Sequence, residues 1–389
     1  MTTTATAPQC VAHHAGAVGA DRVEGPLKGY HHRTFAVRLD RSSPLAGDFR
    51  WLKLREPRQD ALWYDMRWFP SEEELLRLLH ARQGRGARYG RTPPRIPQVV
   101  EQTVDGQRLA FLAFIEGVTL DRVRGARPGR VPGRYLDQIE ELFHALAGVD
   151  AEALAAHAGP QPAAACDRHD PAAYPEHGGA TAFLGALTHF TMAHAYRDRQ
   201  KEMAELLDLL GVPVAALDAF ARRRPLLTDR PRTLLHGDLH RRNLVVDRAG
   251  DLWTIDWELA LLGDPLYDLA THLHLMDYPA DQEQEMVRRW QRAVGPRRSA
   301  GTAQDLPHYR AYKRVQSLCT DVLRATARLA RTQEPPGSAA GRVRLRGAAT
   351  VVQRVLAAAR EPLRLPETPP TEQVEAVFAD WWRRNRPPD

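Results

Sequence analysis

The sequence predicts an α+β chain in two parts, a small antiparallel sheet with one helix followed by a larger, mainly helical region. Three observations predict it: short runs of period-two alternation before residue 117, an acidic helix start at Ser71 among them, and apolar residues at helical spacing through most of the remainder. The division expected is a flexible tail over residues 1–20, a first lobe over 21–117 and a helical lobe over 118–389.

The elements follow in order. Residues 1–20 are small, polar and aperiodic, which reads as a mobile tail. Phe35-Ala36-Val37-Arg38-Leu39 and Trp51-Leu52-Lys53-Leu54-Arg55 alternate, and the turn-rich segment between them joins two antiparallel strands. Ser71 is a good N-cap for a helix opening on Glu72-Glu73-Glu74, with Leu75, Leu76 and Leu79 on its apolar face. Ala81 to Pro97 carries glycine, proline and five arginines and reads as an exposed loop. Val99–Val104 and Leu109–Ile115, around Asp105-Gly106, make a hairpin. Helical spacing then takes over at Tyr135–Leu146, near Phe183 and at Asp198–Leu210. Β character returns between Leu234 and Asp256, and breaks fall at 334–338 and 367–371.

Composition removes several classes. The chain has 389 residues, 43% of them hydrophobic, enough for a substantial core. Cys10, Cys166 and Cys319 are odd in number and far apart, so no disulfide framework or Cys₄ zinc site is readable, and a reducing cytoplasm is expected. No apolar run approaches a membrane span. The formal charge of +6 favours an acidic or phosphorylated partner, but the arginines are not interleaved with aromatics as in nucleic-acid binders.

The chemistry is concentrated in Leu235-His236-Gly237-Asp238-Leu239-His240-Arg241-Arg242-Asn243 and Ile255-Asp256-Trp257-Glu258. A hydroxyl attacking a phosphate needs a carboxylate that orients it and takes its proton, and Asp238 suits that role. Asn243 offers an amide oxygen to Mg²⁺ without a second negative charge beside the nucleophile. The turn 247–251 reverses the chain into a strand that delivers Asp256 beside that loop as a second, fully charged ligand. His236 is expected to brace the turn, and its spacing to His240 lacks the further ligands a zinc site needs. No Gly-x-x-x-x-Gly-Lys-Ser/Thr occurs, which removes the P-loop kinases.

These motifs, with Gly263-Asp264-Pro265-Leu266-Tyr267-Asp268-Leu269-Ala270, resemble the aminoglycoside phosphotransferase and choline kinase-like superfamily. The resemblance implies a bilobal protein kinase-like fold, ATP and Mg²⁺ as cofactors, Asp238 in the catalytic loop 236–243 as base, and Asn243 and Asp256 as metal ligands. It makes 21–117 the nucleotide-binding lobe, with a hinge at 114–117 whose Phe114, Ile115 and Glu116 face adenine. Lys53 is the lysine for the α- and β-phosphates, Glu72 its ion-pair partner with Glu73 the runner-up, and Gly29, Tyr30 and His31 the phosphate-covering backbone. Asp264 and Asp268 read as residues that cap and anchor the following helix. All four of Lys53, Asp238, Asn243 and Asp256 are present, which argues against a pseudokinase that only binds.

The acceptor is a hydroxyl-bearing peptide or small molecule. From Thr271 to Asp389 basic residues outnumber acidic ones by seven, the reverse of what a polycationic aminoglycoside requires. Gly29-Tyr30-His31-His32 and Trp253–Glu258 also resemble the stand-alone kinases of class V lanthipeptide-like biosynthesis. That resemblance implies Ser/Thr phosphorylation of a precursor peptide and a partner lyase or cyclase. The competing reading is an aminoglycoside or choline-like small-molecule kinase.

Overall fold

A computed structural model describes residues 7–27, 32–58, 68–86, 94–104, 106–123, 129–157, 179–197, 200–332, 334 and 337–385. Contacts divide the chain into two compact units, Met1–Trp63 with Arg67–Gln161 and Arg232–Arg298, and Tyr64–Met66 with Pro162–Pro231 and Ser299–Asp389. The lobe boundary expected at 117 falls inside the first unit.

In the first unit, strands β1 (Ala20–Leu27), β2 (His32–Leu39), β3 (Trp51–Pro57), β4 (Val99–Val104) and β5 (Gln107–Ala113) form one antiparallel sheet in the order β1-β2-β3-β5-β4. Phe35 pairs with Leu54 and Val37 with Leu52, so the alternation read from the sequence puts Val37, Leu39, Leu52 and Leu54 in one apolar cluster. Helix α1 (Ala7–Ala17) corrects the expected tail over 1–20 where the residues are described, from 7 onward. Val11, Ala15 and Val18 recur at helical spacing and pack into that cluster, a pattern that small neighbours such as Ala12 and Gly16 conceal. Helix α2 (Glu72–Gly86) begins as expected: the Ser71 hydroxyl accepts the Glu74 N–H at 3.1 Å, and Leu75, Leu76 and Leu79 are buried.

The unit continues through β6 (Gly117–Thr119), α3 (Gly133–Ala147) and the short α4 (Ala151–Ala155). It resumes at β7 (Thr233–Leu235), β8 (Leu244–Asp247), β9 (Leu252–Thr254), β10 (Leu261–Gly263), α8 (Pro265–Met276) and α9 (Ala280–Val294). The order β6-β8-β9 is antiparallel throughout, with Leu244 opposite Thr254, and β10 pairs β7. The loop 236–243 therefore leaves one short strand and enters another, and β9 returns the chain beside its start.

The second unit is helical: α5 (Ala180–Thr191), α6 (Gln200–Leu209), α7 (Val214–Ala221), α10 (Thr302–Ala330), α11 (Ala339–Leu363) and α12 (Thr371–Asn385). The breaks between the last three helices fall where the sequence placed them. The buried Arg230 guanidinium donates to Asp305, which also accepts the Thr228 N–H at 2.9 Å, tying the start of α10 to the segment after α7. No helix among the described residues is long and apolar enough to cross a membrane.

Candidate active site

The loop 236–243 is fixed first by backbone. Gly237 has φ +79°, and a Cβ there would stand 2.5 Å from the Leu259 carbonyl oxygen, so glycine is required on two counts. Asp268, on the first turn of α8, accepts the N–H groups of His236 at 3.0 Å and Gly237 at 2.9 Å. The expectation that this carboxylate serves its own helix leaves out its bonds to the loop, while Asp264 caps α8 as expected by accepting the Leu266 N–H at 3.0 Å. One turn beyond Asp268, His272 Nδ1 lies 3.0 Å from the Leu239 carbonyl, so a single helix grips both halves of the loop.

Both histidines of this frame are neutral. His236 is fully buried, and desolvation pushes it down to about 4. Its Nε2 faces the Ile255 carbonyl at 3.1 Å and must donate, which leaves Nδ1 to accept the Asp238 N–H at 3.3 Å. That is the bracing role expected for it. Burial likewise takes His272 down to about 4, and its Nε2 meets the Tyr278 hydroxyl at 3.0 Å.

The chemical groups sit on this frame. The amide nitrogen of Asn243 donates to the Asp238 backbone carbonyl at 2.9 Å and to its carboxylate at 3.1 Å. Both partners only accept, so the amide must face them with nitrogen, and its oxygen is directed elsewhere. The Asn243 carbonyl accepts the Ile255 N–H at 3.0 Å, one residue before Asp256. Asp256 takes the left-handed conformation, φ 68° and ψ 61°, rare for a residue with a side chain. The hairpin thus places two oxygen-bearing side chains next to each other in the ladder, a donor set of the hard type that Mg²⁺ takes together with water and phosphate oxygens. No group of three or more His, Cys, Asp or Glu side chains is gathered as a metal cluster among the described residues.

Across from them stands the strand lysine. Lys53 Nζ is 3.8 Å from Asp256 Oδ1 and 3.9 Å from Glu72 Oε2. Glu72 is fully buried, and its Oε1 accepts the Trp257 N–H at 2.9 Å, linking α2 to the residue after Asp256. Glu73 is joined instead to Arg55.

The family is settled by sequence over the stretch that carries this geometry. Residues 22–312 match the model of the phosphotransferase enzyme family. The chain belongs to that family. It is a phosphotransferase of the kinase type. No curated protein sequence matches it. Among solved structures it is similar to a macrolide 2'-phosphotransferase from Brachybacterium faecium, with 18% identity, 93% and 98% of the two chains covered and a TM-score of 0.47. It is also similar to an aminoglycoside phosphotransferase in complex with GDP and kanamycin, with 14% identity, 92% and 99% coverage and a TM-score of 0.49. A choline/ethanolamine kinase family protein from Mesorhizobium loti follows at 16% identity, 95% and 99% coverage and 0.45.

This phosphotransferase has a cleft of about 410 Å³ lined by Ala36, Trp51, Phe114, Glu116, Gly117 and Val118, together with Glu24 and Arg248. Two of the three expected hinge residues line it, Phe114 and Glu116, while Ile115 does not. Gly117 permits the close pairing with β8, since a Cβ there would overlap the Val246 carbonyl. Gly29, Tyr30 and His31 lie outside the described residues. Sequence reasoning missed Arg55, Glu258 and the use of His272. The first had a signal: it stands two residues after Lys53, on the same face of β3.

Proposed function

We propose that the chain moves the γ-phosphate of ATP, with Mg²⁺, onto a hydroxyl of a natural-product-type acceptor. The acceptor is either Ser/Thr of a ribosomal precursor peptide or a hydroxylated antibiotic that is not a polycation. The observation that carries the reading is Lys53 at 3.8 Å from Asp256, with Ile255, the residue before Asp256, bonded to Asn243, whose amide holds Asp238. A cation for the nucleotide phosphates, two oxygen ligands and a carboxylate for the acceptor stand on one hairpin and one strand.

Asp238 is the base. Its side chain is 31% exposed, open enough to receive a hydroxyl, while Asn243 fixes its rotamer. Mg²⁺, held by Asn243 and Asp256, supplies charge neutralisation on the phosphates. Lys53 binds the α- and β-phosphates, and the cleft beside Phe114 and Glu116 receives adenine, Trp51 and Ala36 closing its apolar side. Burial keeps His240, which is 3.5 Å from the Asp238 carboxylate, below the ordinary histidine range, so the base is not paired with a full positive charge at neutral pH.

The excess of arginine over acidic residues in 271–389 supports an uncharged or anionic acceptor. The test offers γ-labelled ATP with aminoglycosides, hydroxylated antibiotics and a Ser/Thr precursor peptide in parallel. Label is expected in the peptide or the uncharged antibiotics; label confined to aminoglycosides overturns the acceptor class. With the labelled acceptor, Asp238→Asn is expected to lose roughly 10²–10⁴-fold in kcat. Wild-type turnover by that variant removes Asp238 as the base.

A further inference from the structure

Lys53 is not the group that grips Glu72. Its Nζ is 3.9 Å from Glu72 Oε2, whereas Arg55 Nη1 is 2.6 Å from the same oxygen, so of the two ion pairs the arginine's is much the closer. The other end of the Arg55 fork holds Glu73, and Glu258 Oε2 stands 4.0 Å from Nη1. Glu258 in turn pairs with His32 Nδ1 at 2.9 Å, at the start of β2. The guanidinium is nine-tenths buried among three carboxylates from α2 and the segment after β9. A planar fork with separated nitrogens can serve several carboxylates at once, which a single ammonium cannot.

One oxygen of Glu72 accepts the Trp257 N–H, and the other is held by charge alone, in an ion pair with Arg55 that forms no hydrogen bond. That N–H belongs to the peptide joining Asp256 to Trp257, so the bond fixes the plane next to a residue held at φ 68°. A left-handed non-glycine conformation persists only where its surroundings hold it.

We infer that Arg55, rather than Lys53, anchors Glu72, and that through Glu72 and the Trp257 N–H it positions the Asp256 carboxylate. Arg55 is a positioning residue. Lys53 is left between two carboxylates at 3.8 and 3.9 Å, able to move onto a nucleotide phosphate without releasing α2. The inference rests on the reading of Asp256 as metal ligand and Lys53 as phosphate cation.

The test is amide hydrogen exchange at Trp257 in the full-length, nucleotide-free chain, for wild type, Lys53→Ala, Arg55→Gln and Arg55→Lys. A hydrogen bond to a charged acceptor is worth enough that Arg55→Gln is expected to speed exchange at Trp257 by about tenfold. Lys53→Ala is expected to leave Trp257 at the wild-type rate while its turnover falls. Arg55→Lys keeps the charge but loses the fork, and is expected to exchange between these two. If Arg55→Gln does not fold, Arg55→Lys carries the comparison, with protected amides of α8 as the control for global structure. Arg55→Gln is also expected to raise the Mg²⁺ concentration for half-maximal turnover with the acceptor KM unchanged. Equal acceleration at Trp257 by Lys53→Ala, or wild-type exchange in both Arg55 variants, overturns the inference. A fully active Asp238→Asn would instead remove the base assignment and leave the exchange comparison standing.

Discussion

Two neighbouring parts of the site are held by different forces. The loop 236–243 is fixed mainly by directional hydrogen bonds rather than ion pairs: two N–H groups on the Asp268 carboxylate, two neutral imidazoles on the carbonyls of Leu239 and Ile255, and the Arg241 guanidinium on the carbonyls of Met276 and Gly129. The corner between β3 and α2 is fixed by charge, with Lys53 and Arg55 set against Glu72, Glu73, Glu258 and Asp256. Directional bonds suit the loop, because on the proposed function it carries the base, which must not move. Charge pairs suit the corner, because on the same proposal its lysine meets an arriving polyphosphate and has to be exchangeable between partners.

The largest effect is expected from breaking the loop's support. Asp268→Ala leaves two buried N–H groups without an acceptor and is expected to cost about 3 kcal/mol in urea unfolding, with turnover lost in proportion. A variant that unfolds like wild type would mean that the loop is held from elsewhere.

Acid should act on the loop before it acts on the corner. His236 and His272 are held near 4 in the folded chain and titrate near 6.5 when unfolded, so between these values only the unfolded state takes up the protons. Their contribution is fully present above pH 6.5 and is lost as pH falls toward 4. Lowering pH from 7 to 5 is expected to cost roughly 2 kcal/mol for each ring. Urea midpoints across that range check it, and the slope should shrink in His272→Gln. Unchanged midpoints between pH 7 and 5 would show that the rings accept protons without leaving the fold.

The smallest effect is expected at the rim of the corner. Burial would raise the Glu73 carboxyl, but the Arg55 guanidinium outweighs it and holds the group below its ordinary value. Glu73→Gln leaves Arg55 on Glu72, so a loss of about 1 kcal/mol is expected, with kcat within about threefold of wild type. A loss as large as that of Asp268→Ala would mean that Arg55 depends on Glu73 more than on Glu72.

Much of this was legible before any coordinates. The pairing of β2 with β3 and of β4 with β5, the start of α2 at Ser71 and the breaks around α11 follow from alternation, capping and proline, which are local signals. The helix near the start is hard to read in the sequence because its packed positions and the residue after it, Val11, Ala15 and Val18, are small and spread over two turns, and their value lies in the sheet surface they meet. The sequence points Asp268 to its own helix, since a carboxylate in a first turn favours the helix start, and nothing local shows that the loop about thirty residues earlier bonds to it.

The sequence by itself determined the inventory: a carboxylate, an amide and a second carboxylate at spacings that one hairpin can bring together, with glycine where the turn admits nothing larger. Tertiary structure alone decided how the charges pair. Lys53 and Arg55 stand on one strand face, Glu72 and Glu73 at one helix start, and composition permits any assignment among them. Which nitrogen reaches which oxygen is set by the distance between α2 and β3 and by the Trp257 N–H that claims half of Glu72. Coulomb attraction has no sequence register, so only packing could choose among those partners.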